Sequence, residues 1–197
     1  MIIVVAGLKG GVGKTTTSVY LSAIASSSRA VTLVDADPQA SAAEWVESSE
    51  DEALGAVELV EAPTDRLLLK ALDRIEDEAV AIVDTPAGNE RLLGKAIDNA
   101  DAIVLPTRVG GVETGRAEAV LEMIPKRTPV GLVISSARTY TRDYHDALAG
   151  WSEAEVPVWG TIPERVAIAA GPDGYLAPDG IEAYRSVWRR VMRAARA

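Results

Sequence analysis

The sequence predicts an α/β fold: a doubly wound, mostly parallel seven-stranded sheet with helices on both faces. Short β-branched runs alternate with longer amphipathic stretches, which is typical of strands joined by crossover helices. The runs are too short, and too closely flanked by turn-forming residues, to be buried helix segments. The predicted strands cover residues 2–6, 30–35, 57–60, 80–84, 102–106, 130–135 and 156–160. Five are apolar on both faces, as buried parallel strands should be, namely those near Val4, Val34, Val83, Ile103 and Val133.

Length and composition favour one domain, residues 1–197, without a second folded unit. Hydrophobic residues make up 48% of the chain and charged residues 25%, and no apolar run approaches the roughly 18 residues that span a bilayer. The absence of cysteine excludes disulfides and thiolate metal sites and favours a cytoplasmic location. One histidine, His145, gives no support for a catalytic triad or a histidine metal cluster. The net charge of −9 means that any DNA site must be local.

A glycine-rich loop follows the first strand and precedes a helical stretch, which is the arrangement of a P-loop NTPase fold. Its glycines let backbone N–H groups converge on phosphate oxygens, and the helix that follows adds its N-terminal partial positive charge. Lys14 is expected to lie along the β- and γ-phosphates of ATP, and the Thr15 hydroxyl to ligate Mg²⁺. The predicted nucleotide-binding residues of this loop are Lys9, Gly10, Gly11, Val12, Gly13, Lys14, Thr15 and Thr16.

Acidic residues close two of the later strands. The segment VTLVDADPQ (31–39) ends in Asp35 and Asp37, which alternation along a strand places on one side of the chain, so that both could face the ligand. The segment AVAIVDTPAG (79–88) is a hydrophobic strand closed by Asp84, a Walker B arrangement in which the carboxylate binds Mg²⁺ through water. Because ligands in such sheets lie beyond the carboxyl ends of the strands, these motifs predict one magnesium and nucleotide site.

Together these motifs resemble those of the ParA/MinD family of deviant Walker A ATPases. The family signature KGGxGK[TS] matches residues 9–15, and its DTPxG switch II matches residues 84–88. In that family two ATP molecules are sandwiched between two subunits. The resemblance covers essentially the whole chain, with its strongest motifs between residues 6 and 88, and implies ATP and Mg²⁺ as cofactors.

The resemblance also implies roles for individual residues. Lys9 would cross a dimer interface to the phosphates bound by the partner, where a cation gains far more from ATP than from ADP. Asp35 would support the Mg²⁺ shell together with Thr15 and Asp84, and Asp37 would orient the attacking water. The implied catalytic set is therefore Lys9, Lys14 and Asp37.

Two parts of the chain depart from the family or match it weakly. The family commonly has a proline-serine-proline-leucine-aspartate stretch where this chain reads RVGGVE (108–113), and Glu113 is the candidate for the missing acid. The segment WGTIPERVAIAAG (159–171) resembles the loop that packs on adenine, which would place Pro163, Glu164 and Arg165 near the base. An ordinary strand-to-helix connection would have a similar sequence.

The C-terminal stretch 180–197 reads as an amphipathic helix. Its apolar side comprises Ile181, Tyr184, Trp188, Val191, Met192 and Ala195, and its basic residues are Arg185, Arg189, Arg190, Arg193 and Arg196. Three interpretations are open: a helix that covers the sheet with solvated arginines, a DNA-phosphate site like that near the C-terminus of ParA-type proteins, or a membrane helix like that of MinD.

The function expected from the sequence is that of a short, ParA-like DNA-partition ATPase. ATP would close a homodimer that binds DNA without sequence preference, and slow hydrolysis, accelerated by a ParB-like centromere-binding or adaptor protein, would reset it. The phosphate loop begins within ten residues of the start, so no N-terminal DNA-binding domain is expected. Such a protein would be cytoplasmic and nucleoid-associated, with no membrane partner. The alternatives are positioning of another cargo, a MinD-like membrane ATPase, and a small-molecule enzyme on the same scaffold.

Overall fold

The structure, a computed structural model, describes residues 1–169, 171 and 175–196, and it confirms the predicted sheet. The strands are β1 (Ile2–Val5), β2 (Val31–Asp35), β3 (Glu58–Glu61), β4 (Val80–Asp84), β5 (Ala102–Thr107), β6 (Val130–Ala137) and β7 (Val158–Pro163). They form one sheet of seven strands in the order β3-β2-β4-β1-β5-β6-β7, and every neighbouring pair is parallel. Because each crossover returns the chain to the same edge, all the strands end on the side where the polar motifs lie.

Helices cover both faces of the sheet, as predicted. They are α1 (Lys14–Ser26), α2 (Ser41–Ser48), α3 (Glu52–Gly55), α4 (Asp65–Leu72), α5 (Glu90–Asp98), α6 (Gly111–Met123), α7 (Arg142–Glu153), α8 (Val166–Ala169) and α9 (Pro178–Ala194). The larger of the apolar clusters lie between the sheet and α1, α2, α3, α8 and α9 on one face, and between the sheet and α4, α5, α6 and α7 on the other. In the part of the chain that the structure describes, no helix combines the length and the apolar character needed to cross a membrane.

The C-terminal helix packs on the sheet somewhat differently from the prediction. Tyr184 and Val191 are buried as expected, and Trp188 is only partly buried against the core. Val187, which the helical pattern did not single out, is fully buried. Gly160 in β7 makes room for it, because a Cβ there would lie 2.3 Å from Cγ2 of Val187. The helix ends at Ala194, and residue 197 lies outside the described residues.

A second close contact in the sheet provides a test of the packing. Gly131→Ala should lower the free energy of unfolding by about 2–3 kcal/mol, because a Cβ at Gly131 would lie 2.0 Å from Cδ2 of Trp159. Gly94→Ala in α5 is the control, since a Cβ there meets nothing within 4 Å and alanine favours a helix by up to about 1 kcal/mol. Urea unfolding followed by tryptophan fluorescence measures both. Equal stability of the two variants would contradict the contact between β6 and β7.

Candidate functional site

A cavity of about 470 Å³ opens at the carboxyl edge of the sheet, beside the glycine loop. The loop contributes Gly10, Gly11, Gly13, Lys14, Thr15 and Thr16 to its lining. Two of the glycines have left-handed backbones, Gly11 with φ 76° and Gly13 with φ 95°, which side chains would strain. Val12 and Lys9 do not line this cavity, because the side chain of Val12 is buried under the loop and that of Lys9 points outside it.

The loop is held in shape from below by a serine that the sequence analysis did not select. The hydroxyl of Ser135, at the end of β6, donates to the carbonyl of Val12 at 2.6 Å and lies 3.1 Å from the carbonyl of Thr107. Ser135 is buried, and its Cβ lies 3.4 Å from where a Cβ on Gly13 would stand. The serine therefore joins the phosphate loop to the ends of β5 and β6.

Lys14 is a poorly solvated cation aimed along the loop. Its side chain is buried, and its Nζ donates to the backbone carbonyl of Lys9 at 2.8 Å. Burial lowers the pKa of Lys14, while the negative charges of Asp84 and Asp37 act in the opposite direction. An anion placed in the cavity would meet a cation that little water screens.

Asp84 lies behind the loop and is bound by two hydroxyls of α1. Thr15 Oγ1 donates to Oδ2 of Asp84 at 2.8 Å, and Ser18 Oγ donates to Oδ1 at 3.0 Å. Burial raises the pKa of Asp84 to about 7, although these hydrogen bonds act against the shift. Ser18 was missed by the sequence analysis, and the signal for it was its position one helical turn after Thr15.

These oxygens suit magnesium but do not form a complete protein site. Within residues 1–169, 171 and 175–196, no group of three or more acidic, histidine or cysteine side chains could hold a metal ion. The Thr15 hydroxyl and the Asp84 carboxylate are adjacent hard oxygen donors, which Mg²⁺ prefers while it keeps other positions for water and phosphate. A magnesium ion bound there together with nucleotide phosphates would neutralise the phosphate charge.

Asp35, which ends β2, and Asp37, which follows it, do not share the cavity. Asp37 lines it, whereas Asp35 is buried and accepts three backbone bonds, from the N–H of Asp37 at 3.0 Å and of Ala42 and Ala43 at 2.9 Å. The expectation that both side chains face the ligand was wrong, because the strand ends at Asp35 and its alternation stops there. Asp35 instead shapes the turn that presents Asp37 and caps α2. It pairs in register with Asp84, and a role in the Mg²⁺ shell stays a prediction.

The predicted base-binding residues are divided in the same way. Pro163 and Arg165 line the cavity, together with Ile162 and Ile168. Glu164 does not, because its carboxylate turns outward to the guanidinium of Arg138, with Nε 2.5 Å from Oε2. The pair is exposed, and the hydrogen bond from Arg138 lowers the pKa of Glu164. Placement of Glu164 against a base is therefore not supported by the geometry.

Several further residues line the cavity that the sequence analysis did not assign. Three of them carry polar groups from distant parts of the chain, namely Arg108, Ser136 and Tyr184. Arg108 lies in the stretch that departs from the family, and that departure was the available signal. Ser136 has a left-handed backbone, with φ 48°, and Tyr184 comes from the distant helix α9. Their positions depend on the tertiary fold and not on a local motif.

Lys9 and Glu113 form an ion pair beside the loop. The side chain of Lys9 is 40% exposed and that of Glu113 13% exposed, so the pair lies at the rim with its carboxylate turned inward. Oε2 of Glu113 is buried and has no hydrogen-bond partner among the described residues. The candidate acid of the departing stretch is therefore in contact with the signature lysine.

The arginines of the C-terminal stretch are all exposed, but they are not equally available. Arg190 Nη1 donates to the backbone carbonyl of Val158 in the edge strand β7, and Arg185 lies 3.9 Å from Glu182. Arg189, Arg193 and Arg196 form no ion pair with the described residues. The five predicted DNA-binding residues are thus reduced to three that are wholly uncommitted, and Arg190 instead binds the unpaired backbone at the edge of the sheet.

The glycine loop between β1 and α1, with Asp84 at the end of the neighbouring strand β4, defines a P-loop nucleotide-binding protein. Comparison with protein families places it further, because the CobQ/CobB/MinD/ParA nucleotide binding domain matches residues 3–175. The chain belongs to this family, which confirms the resemblance predicted from the motifs.

Two curated relatives match parts of the chain. It is 44% identical over 100 residues to "Maintenance of carboxysome distribution protein A" of Gloeobacter kilaueensis, covering 50% of this chain and 45% of the relative. It is 32% identical over 126 residues to "Protein ParA" of Rhizobium radiobacter, covering 62% of this chain and 55% of the relative. The matches therefore span about half the length of these relatives.

Solved structures confirm the fold. A plasmid partition protein from Borrelia burgdorferi bound to AMPPNP superposes with a TM-score of 0.78 at 21% identity, over 98% of both chains. MinD from Pyrococcus horikoshii with Mg-ADP gives 0.79 at 19% identity, over 98% of this chain and 96% of that one. The ATP complex of a Cyanothece McdA variant gives 0.77 at 17% identity, over 98% and 95%. These neighbours are nucleotide-bound P-loop proteins of the same fold.

The buried carboxylate of Asp84 should make the ligand-free protein sensitive to pH. Its folded pKa of about 7 lies above the ordinary 3.8, so the folded state holds a proton that the unfolded state releases, and stability falls as pH rises through that interval. In EDTA at pH 8, Asp84→Asn should therefore be more stable than the wild type by about 1–3 kcal/mol. At pH 5 most of this gain should vanish. Urea titrations at both values provide the measurement.

Asp101→Asn is the matched control, because this exposed carboxylate accepts a bond from the Ile2 N–H at 2.7 Å. It should show no gain that depends on pH in this way. A loss of stability in Asp84→Asn at both pH values would mean that the ionised carboxylate is well compensated in the empty site.

Proposed function

We propose that this protein is a ParA-like partition ATPase in which magnesium-ATP closes a homodimer and hydrolysis opens it again. The observation that carries this proposal is the division between the two loop lysines. Lys14 lines the cavity, whereas Lys9 stands outside it at the exposed rim. A lysine in that position is placed to serve a ligand on another subunit better than its own.

Nucleotide binding is supported by the charge and shape of the cavity. Backbone N–H groups of the loop, the start of α1 and the desolvated Lys14 all favour a chain of phosphates. The apolar side of the cavity, with Ile162, Pro163 and Ile168, suits the face of a purine. ATP with Mg²⁺ is the ligand that combines both requirements.

Hydrolysis would depend on positioning and charge stabilisation. Asp37 is the carboxylate at the phosphate end of the cavity, and its Oδ1 accepts the N–H of Gln39 at 3.0 Å, which fixes the turn around it. It would orient the attacking water while Lys14 and Lys9 offset the developing charge. Because Lys9 must come from a second subunit, an isolated monomer would hydrolyse ATP slowly.

Dimerisation is supported by exposed apolar side chains in the segments that leave the carboxyl ends of the strands. Val112, Tyr140 and Val166 are 69%, 83% and 89% exposed. They lie directly after β5, β6 and β7, the side of the sheet that also carries the nucleotide loop. A two-fold dimer formed across this edge would bury them and exclude water from the phosphates.

DNA is the proposed binding partner of the ATP-bound dimer. With Arg190 bonded to β7 and Arg185 beside Glu182, each subunit offers Arg189, Arg193 and Arg196, and the dimer brings six such side chains together by effective concentration. If about half of them reach phosphates, log K against log[salt] should have a slope of about −3. Binding of this kind would make the protein cytoplasmic and nucleoid-associated, without a membrane partner.

The cargo can be of two kinds. DNA segregation with a ParB-like centromere-binding or adaptor protein is the first, since one relative is named ParA. The second is positioning of another cargo on the nucleoid, which the 44% identity to a carboxysome distribution protein favours. Both use the same ATP-dependent dimer, and the protein that stimulates hydrolysis distinguishes them.

Co-sedimentation with nonspecific DNA in ATP, ADP or no nucleotide tests the proposal. The wild type should bind DNA only when ATP is present. Lys9→Ala should weaken that binding at least about tenfold, because the dimer loses a desolvated contact to phosphate. Asp37→Ala should prolong binding, since the water is no longer oriented. Lys95→Ala, an exposed lysine of α5, is the control and should bind as the wild type does.

Light scattering supplies the decisive result for the dimer. A wild-type or Asp37→Ala protein that remains monomeric at saturating magnesium-ATP would reduce the function to simple nucleotide binding. Equal DNA binding in ATP and ADP would remove the nucleotide switch while leaving DNA binding in place.

The ion pair at the rim generates a further prediction. Lys9 must leave Glu113 to reach a partner's ligand, so Glu113→Gln should strengthen ATP-dependent dimerisation about three- to tenfold, because dimerisation breaks two such ion pairs and each is worth about 0.5 kcal/mol. Glu118→Gln, an exposed residue of the same helix, should change nothing. Sedimentation equilibrium in the Asp37→Ala background measures the constant without hydrolysis. Weaker dimerisation of Glu113→Gln would mean that the glutamate orients Lys9 and does not restrain it.

A further inference from the structure

Helix α9 contributes to the nucleotide cavity through one residue, Tyr184, which also contacts the helix that begins at the phosphate loop. Tyr184 lines the cavity, as Thr16 and Ile168 do. Its hydroxyl lies 3.0 Å from Oγ1 of Thr17, one residue further along α1. Both residues are fully buried, at 1% and 0% exposure, so this hydrogen bond is not open to exchange with solvent.

A second contact joins the same two helices one turn further along. The ring of Tyr20 stacks on that of Tyr184 with centroids 5.0 Å apart and an interplanar angle of 22°. The hydroxyl of Tyr20 accepts the N–H of Ala177, the residue before α9, at 3.0 Å. Gly180 lies against the same ring, where a Cβ would stand 2.5 Å from Cε1 of Tyr20. The start of α9 is therefore fixed to α1 at several points.

The chemistry of these contacts favours a permanent link. Burial raises the pKa of Tyr184 and of Tyr20, so both hydroxyls stay protonated at neutral pH and can take part in these hydrogen bonds. The rings stack in an offset arrangement that contributes beyond the area they bury. Breaking the Thr17 contact alone would leave two buried hydroxyls without partners in this pair.

A local opening of α9 would therefore damage the nucleotide site. It would remove Tyr184 from the cavity lining and release Thr17, three residues after Lys14. A ligand that binds only the closed form opposes any opening that destroys its site, and the protection grows with ligand concentration. Nucleotide occupancy would then lower the frequency of local opening along α9, which also carries the exposed Arg189 and Arg193.

We propose that Tyr184 is a positioning residue of the nucleotide site, holding the first turns of α1 through Thr17, and that it makes the order of α9 depend on nucleotide occupancy within a single subunit. The inference rests on the proposed nucleotide binding, but it needs neither dimerisation nor hydrolysis. As a consequence, α9 opens less often when nucleotide occupies the cavity, even in a monomer.

Hydrogen exchange with mass spectrometry, with and without magnesium-ADP, tests this directly. ADP is chosen because the proposed dimer requires ATP. At ADP concentrations about 100 times Kd, amide exchange that proceeds through openings that abolish binding should slow by up to about 100-fold. We expect protection in the loop, residues 7–16, and in α9, but not in α4, which packs on the opposite face of the sheet.

Tyr184→Phe keeps the stacked ring and removes only the hydroxyl. With ADP saturating for each variant, the factor by which ADP slows amide exchange in α9 should be at least threefold smaller than in the wild type. The variant should also bind ADP about three- to tenfold more weakly. Thr17→Val should act in the same way, and the double variant should add little to either change, because both remove one interaction.

The matched control is Tyr144→Phe, which loses a similar hydroxyl contact, 2.9 Å from Oγ1 of Thr161, between two residues that do not line the cavity. It should leave the ADP-induced slowing in α9 unchanged. An equal effect of Tyr144→Phe would reduce Tyr184 to general stabilisation and overturn the inference. If ADP protects the loop from exchange but not α9, the inference is also overturned, while nucleotide binding itself is supported. Absence of protection in the loop as well would overturn both.

Discussion

The balance of buried charge behind the phosphate loop is the constraint on which the site depends. Lys14, Asp84 and Asp35 are all nearly inaccessible to water; the two aspartates end the neighbouring strands β2 and β4, and Lys14 begins α1. Desolvation lowers the pKa of the lysine and raises those of the carboxylates, so burial disfavours the charged form of each group. Two hydroxyls and three backbone N–H groups offset part of this cost.

This imbalance explains why the site is suited to a ligand that carries charges of both signs. A magnesium ion together with phosphates would bring a cation to Asp84 and anions to Lys14, so each buried charge would gain an opposite partner without rearrangement of the loop. Ligand binding would then stabilise the fold most where the empty protein is least favourable. The glycine backbone at Gly11 and Gly13 and the Ser135 contact keep the loop open for that ligand.

The sequence predicted the sheet, both faces of helices and the position of the loop, because these depend on local periodicity and on glycines at fixed offsets. It did not predict directions that depend on neighbours distant in sequence. Asp35 turns to the N–H groups of α2, Glu164 turns to Arg138, and Arg190 turns to the edge of β7. Val187 is buried because Gly160 lies beneath it. In each case the deciding partner lies on another element, which the pattern of one segment cannot show.

The geometry of the loop itself separates the roles of its two lysines. Lys14 folds back so that its Nζ binds the carbonyl of Lys9, and this contact occupies the loop on its cavity side. The side chain of Lys9 is directed to the rim, where it pairs with Glu113, and one oxygen of that carboxylate is buried without a hydrogen-bond partner among the described residues. Such a pair is only moderately favourable, since the glutamate remains incompletely satisfied. Under the proposed function, a loop built in this way would offer one lysine to its own ligand and keep the second at the rim, where it would exchange Glu113 for the phosphates of another subunit.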